Sequence, residues 1–138
     1  MATNIYEQLI RDEGNLPHPY RDTVGKLTIG VGHNLDAKGL SWRARMVILG
    51  DDVEDAERDL MNMLPWTQQL SAARRGVLIN MTFNMGIGGL MEFKKMLTAM
   101  REARWEEARK EMLDSTYAKQ VGERAVRLGK QLVTNVWQ

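Results

Sequence analysis

Two carboxylates and a hydroxyl, Glu13, Asp22 and Thr28, stand nine and six residues apart near the start of the 138-residue sequence. They lie in the run DEGNLPHPYRDTVGKLTIGVGHN, Asp12 to Asn34. Two carboxyl groups near one bond can divide the work of breaking it. One gives a proton to the leaving oxygen and the other manages a water, as cleavage of a glycosidic bond requires. Glu13 is the candidate acid. At a helix C-terminal end, partly shielded, its ionised form is disfavoured, which leaves a proton to donate. Asp22 is expected to stay ionised among turn polar groups, where it can orient water or stabilise charge at the anomeric carbon. Thr28 can position the same water. Each residue taken alone has a plainer reading: an exposed helix-end glutamate, a turn aspartate, a strand threonine.

The elements that must position them follow from local chemistry. Asn4 can cap a helix over 4–12, with Glu7 three residues on and Ile5, Tyr6, Leu9 and Ile10 as its apolar face. Gly14 stops that helix, and Pro17 and Pro19 prevent its resumption. Residues 20–35 read as short strands with a turn at Thr23–Lys26, a glycine-rich β-hairpin. Ser41 can cap a helix from Trp42 to Leu49. A third helix at about 51–64 carries Val53, Ala56, Leu60 and Leu64 and ends before Pro65. Ser71 opens a central helix whose Val77, Leu78, Ile79, Met81 and Phe83 are apolar nearly all round. Gly86–Gly89 is a predicted turn, and shorter helices follow at about 92–101, 105–114 and 122–133.

The order Glu, eight residues, Asp, five residues, Thr, followed at once by Ile-Gly-Val-Gly-His, resembles the signature of the T-even-type phage lysozymes of glycoside hydrolase family 24. The likeness extends through LINMTFNMG, RWEEA and the C-terminal spacing of Arg124, Ala125, Arg127 and Trp137. It implies a lysozyme-like α+β fold, mainly helical, in one domain over 1–138. A small lobe with the hairpin would occupy 13–50, a connecting helix 51–64, and a helical lobe 66–138. The helix 4–12 would pack on that lobe, and a cleft would lie between the two. The segment after Leu35, DAKG, is short for the family, so a trimmed small lobe with one strand fewer is expected. The likeness also implies an inverting muramidase that cuts the β-1,4 bond between N-acetylmuramic acid and N-acetylglucosamine. Glu13, Asp22 and Thr28 would be catalytic. Asn34, through its backbone, and Phe83 would contact sugar. His33 would pair with Asp52, and Arg124 would contact Glu13, as supports of the site. Two sugar-contacting positions of the family fall on Met96 and Glu111, a departure in the cleft.

The remaining residues narrow the alternatives. No second His or Cys stands at ligand spacing from His33, and His18 lies in a Pro-rich turn, so no metal and no cofactor is expected. The ten methionines fall mostly at core spacing. Gly30 and Gly32 either let backbone approach a sugar or permit close strand packing. There are no cysteines, so the fold rests on packing. Net charge is +1 but uneven, −4 over residues 1–65 and +5 over 66–138. A basic half suits a polyanionic envelope. Its basic residues are interleaved with acids, as in RWEEARKE, so no nucleic-acid partner is expected. No stretch reads as a signal peptide or a membrane span. The expectation is a monomer acting on peptidoglycan glycan strands, held in the host cytoplasm until a separate holin releases it. The rivals are a lytic transglycosylase, which needs one acid only, and a catalytically silent peptidoglycan-binding phage module.

Overall fold

The computed structural model describes residues 1–138, and their contacts fall into two units, Met1–Ile48 and Leu49–Gln138. In the first unit, α1 spans Ile5–Glu13. Asn4 Oδ1 accepts from the Glu7 amide at 3.0 Å. The Thr3 amide and hydroxyl donate to the Glu7 carboxylate at 2.7 and 2.9 Å. This arrangement satisfies one free donor of the first turn, the Glu7 amide, and holds the Glu7 carboxyl below its ordinary pKa, chiefly through the Thr3 amide. Gly14, at φ +80°, ends the helix and returns its N–H to the Ile10 carbonyl. Glu13 is thus the last helical residue. No residue of α1 is buried.

A three-stranded antiparallel sheet follows: β1 (Leu16–Arg21), β2 (Leu27–Gly30) and β3 (His33–Asn34), in the order β1-β2-β3. The expected hairpin therefore gains a short third strand. Pro17 and Pro19 are tolerated because β1 is an edge strand, where a missing N–H breaks no ladder. The register sets Tyr20 opposite Thr28 and Arg21 opposite Leu27, which leaves Asp22–Lys26 as the connecting loop. On the other side Thr28 faces Asn34 and Ile29 faces His33. The four-residue helix α2 (Leu35–Lys38) is capped by Asn34, whose Oδ1 accepts from the Ala37 amide at 3.0 Å.

α3 runs unbroken from Trp42 to Met63, capped by Ser41, and carries the division between the units within its length. The two helices expected at 42–49 and 51–64 are one. Gly50 costs helix stability, about 1 kcal/mol against alanine, but removes no backbone donor, so the hydrogen-bond ladder continues through it.

The second unit continues through a 3-10 turn (Pro65–Gln69) into α4 (Ala72–Met91), α5 (Lys94–Arg101), α6 (Trp105–Leu113), α7 (Thr116–Val121) and α8 (Glu123–Thr134). The glycine segment Gly86–Gly89 opens on a break in α4, beyond which the helix resumes. Gly86, at φ +80° and ψ 162°, kinks it. The separate helix α7 is started by Ser115, whose Oγ accepts from the Ala118 amide, and stopped by Gly122 at φ +56°. Leu60, Val77, Leu78, Met81, Leu90, Met96, Met100, Met112 and Leu132 are fully buried in one core. Burial of each stabilises by roughly 1.5–3 kcal/mol. Met61 and Met63, by contrast, are exposed on α3. Arg74 ties three helices together: it donates to the Leu132 and Val133 carbonyls at the end of α8 and lies 3.9 Å from the Trp105 ring centroid. No helix is long and apolar enough to cross a membrane.

Candidate functional site

Lys26 is the hub of the loop that carries the carboxylate. Asp22 Oδ1 accepts from the Lys26 amide at 2.8 Å and from the Val24 amide at 3.0 Å. The Asp22 amide in turn donates to the Lys26 carbonyl at 2.9 Å, and the Gly25 amide to the Asp22 carbonyl. Gly25 takes φ +82°, which the tight return requires. Thr28 Oγ1 donates to the same Lys26 carbonyl at 2.9 Å. The backbone of one residue, through its N–H on one side and its C=O on the other, thus orients both side chains.

The chemistry left to each follows from its free valences. Asp22 Oδ2 has no hydrogen bond within the protein and is available to a water. Thr28 is buried, and its hydroxyl proton is spent on Lys26, so the oxygen can only accept. Asp36 holds the loop from the far side: its Oδ2 accepts from the Leu27 amide at 2.8 Å and lies 3.5 Å from Arg21. Arg21 also donates to the Gly25 carbonyl.

Glu13 makes no hydrogen bond or ion pair and is exposed, where partial shielding was expected. The reason is local. Gly14 sends the chain away from the helix axis, and the wall beside the carboxyl is Gly32, at φ +63°, which carries no side chain. A Cβ there would stand 3.0 Å from Glu13 Oε2. Gly32 thus lies close beside Glu13, and its left-handed backbone by itself favours glycine, while Gly30 has open space around it.

Of the other expected residues, His33, Asn34 and Arg124 have partners of their own. His33 Nε2 contacts the Gly39 carbonyl at 2.5 Å, tying β3 to the end of α2. Asp52 is exposed on α3. Asn34 spends its side-chain oxygen on capping α2, which leaves its backbone for any ligand. Phe83 is 47% exposed on α4. Arg124 donates to Asn80 Oδ1 at 2.9 Å and to the Asn80 carbonyl, so its guanidinium has a fixed direction. Met96 is a core residue, 1% exposed, and Glu111 is half-buried.

The phage lysozyme family model matches residues 11–131. The chain belongs to the phage lysozyme family. It is 35% identical to the pre-baseplate central spike protein Gp5 of Enterobacteria phage T4 over 95% of its own length, and spans 28% of that protein. It is 29% and 26% identical to probable T4-type lysozymes 1 and 2 of Dictyostelium discoideum, over 93% of this chain and 92% of each relative. The family carries a lysozyme-type function, and the loop, the exposed glutamate and the glycine wall lie within its matched span. Sequence reasoning missed Lys26 and Asp36 as organisers. Both act through backbone or loop contacts that a search for reactive side chains passes over, although Asp36 lies at the first turn of a helix, where an acidic residue is favoured.

Proposed function

We propose that this lysozyme hydrolyses the β-1,4 bond between N-acetylmuramic acid and N-acetylglucosamine in peptidoglycan, with Glu13, Asp22 and Thr28 as its catalytic residues. Glu13 gives its proton to the glycosidic oxygen as the C1–O bond breaks. A water held by Asp22 Oδ2 and Thr28 Oγ1 attacks C1 from the opposite face, and Asp22 takes its proton. The product anomer is inverted, and solvent restores the proton to Glu13. The observation that supports this reading is the double use of the Lys26 backbone, whose N–H holds Asp22 on the loop and whose C=O holds the buried Thr28 hydroxyl at the start of β2. His33, Asp52 and Arg124 are proposed supports, and Phe83 and the Asn34 backbone proposed sugar contacts. The exposed Glu13 fits a proton donor that substrate itself covers, since a glycan laid on it removes the water that favours its charge.

The test is digestion of purified peptidoglycan by the wild type and Glu13→Gln, with fragments identified by mass spectrometry. Reducing-end muropeptides from the wild type alone support the reading. Anhydro-muropeptides would make the protein a lytic transglycosylase, and no soluble fragments from folded wild type would make it a silent wall-binding module. The relation to the T4 spike protein favours a second setting for the same chemistry, a wall-cutting module of the phage particle instead of a freely released endolysin. Immunodetection on purified particles separates the two settings.

A further inference from the structure

The first two turns of α3, all within the first unit, carry an apolar face that nothing in the protein covers. Trp42 and Met46 stand one turn apart on it and are 67% and 37% exposed, and Val47 beside them is 61% exposed. Ala44, on the opposite side of the helix, is the only residue from Trp42 to Gly50 with partial cover. At about 100° per residue, Arg45 falls on one flank of the Trp42–Met46 stripe and Arg43 on the other. From Ala37 to Gly50 the chain has Lys38, Arg43 and Arg45 and no acid. The ion pairs of the molecule lie elsewhere, so none of these cations has a carboxylate partner. The Arg45 guanidinium instead lies 5.6 Å from the Trp42 ring centroid. Arg43 stands in the first turn, where the helix dipole repels a cation and no acid offsets it.

An exposed indole and thioether edged by unpaired arginines need a partner that is apolar and anionic at once. An anionic polymer answers the arginines but leaves Met46 and Val47 in water, whereas the surface of an anionic bilayer takes both. We propose that this face seats the protein on a membrane rich in anionic lipid. Trp42 and Met46 enter the boundary between headgroups and acyl chains, and Arg43 and Arg45 reach from either side to lipid phosphates. Lys38 adds to the attraction from the end of α2. The contact is peripheral, since no helix is long and apolar enough to cross. The acids of α3 begin at Asp51. That is about 12 Å along the helix axis from Arg43, beyond the screening length of about 8 Å at physiological salt, so they do not cancel the attraction. For an enzyme that cuts the wall, such seating holds it on the side of the polymer that borders the membrane.

The purified chain is sedimented with sucrose-loaded vesicles of phosphatidylcholine alone, or of equal parts phosphatidylcholine and phosphatidylglycerol, at low and physiological salt. The wild type should partition onto the anionic vesicles at least about tenfold better than onto the neutral ones, and less well as salt rises. Arg43→Gln/Arg45→Gln should weaken that partition by about 25-fold, about fivefold for each charge. Trp42→Ala should weaken it by about tenfold through lost apolar area. The control Lys119→Gln/Lys130→Gln removes two exposed cations of the helical unit and should change it by less than about twofold. Every one of these side chains is exposed, so each variant should keep the wild-type Tm. A wild type that stays in the supernatant, or that binds both kinds of vesicle alike, overturns the proposal. So does a control variant that loses as much as the arginine pair. A wild type that is dimeric in solution, and monomeric after Trp42→Ala, gives the face to a second copy and overturns it too. No wall substrate is present, so the outcome is independent of whether sugar bonds are cut.

Discussion

In residues 1–48 only Thr28 is buried, whereas residues 49–138 enclose a continuous core of leucine, methionine, valine and alanine. The sheet unit keeps its shape through short-range hydrogen bonds: Asn4 and Thr3 on α1, Asp22 and Asp36 on the loop, Asn34 on α2. The helical unit keeps its shape by excluding water. Each hydrogen bond of the first kind contributes about 1 kcal/mol and depends on a single acceptor atom, while each core residue is one of many mutual contacts. Changes of charge that preserve shape should therefore alter the chemistry of the first unit and spare its fold. Changes of volume should do the reverse in the second.

The sharpest test of that contrast is Glu13→Gln. Hydrolysis should fall by about 10²–10⁴-fold, with Tm unchanged to within a degree, because the side chain is exposed and unpaired. A comparable loss of Tm would break the contrast. Leu132→Ala should do the opposite. Urea unfolding should show a loss of about 2–5 kcal/mol, while specific activity of the folded fraction at low temperature stays within about twofold. Gly32→Ala lies between the two: the new methyl group crowds Glu13 Oε2, and φ +63° strains alanine by about 1–2 kcal/mol. Activity should fall about 10–100-fold with a modest drop in Tm. Asp22→Asn and Asp22→Ala should both abolish most activity, but only the alanine variant should lose about 1–2 kcal/mol of stability, as the Val24 and Lys26 amides lose their acceptor.

The smallest expected effect concerns the helical unit's own exception, Tyr117. Burial raises its phenol above the ordinary value of 10.0, so the native state holds the proton longer than the unfolded chain does. Its contribution to stability is complete below about pH 10. It is lost as pH rises from there through the folded-state value. Tyr117→Phe removes an unpaired buried hydroxyl and should gain about 1 kcal/mol at neutral pH, with a shallower alkaline decline in a Tm–pH series.

The parts legible in the sequence are those written in local code. Asn4, Ser41 and Ser71 cap the helices they were expected to cap, and Gly14 ends α1, because caps and stops need only the neighbouring four residues. The loop between β1 and β2 was equally plain from its turn residues. Less legible was whatever depends on continuity. Gly50 and Gly86 look alike in the sequence, yet one passes through an unbroken helix and the other adopts positive φ and bends it. Nothing within a few residues distinguishes them. The short helix α7 was hidden for the same reason: six residues give too little periodicity to read. For the candidate site, Glu13, Asp22 and Thr28 are proposed from their spacing and resemblance. The exposure of Glu13 and the role of Lys26 were not legible, since both depend on backbone direction.

The loop around Asp22 has an evolutionary consequence. Its carboxylate holds the turn through one oxygen and keeps the other for solvent. Asparagine offers the same first oxygen, and the two codons differ by one base. If Asp22 acts as proposed, a lineage can therefore trade cutting for mere attachment in a single mutational step, without crossing any valley of misfolded intermediates, and can return by the same step. On the mechanism proposed above, selection on wall cleavage, not selection on folding, keeps an acid at this position.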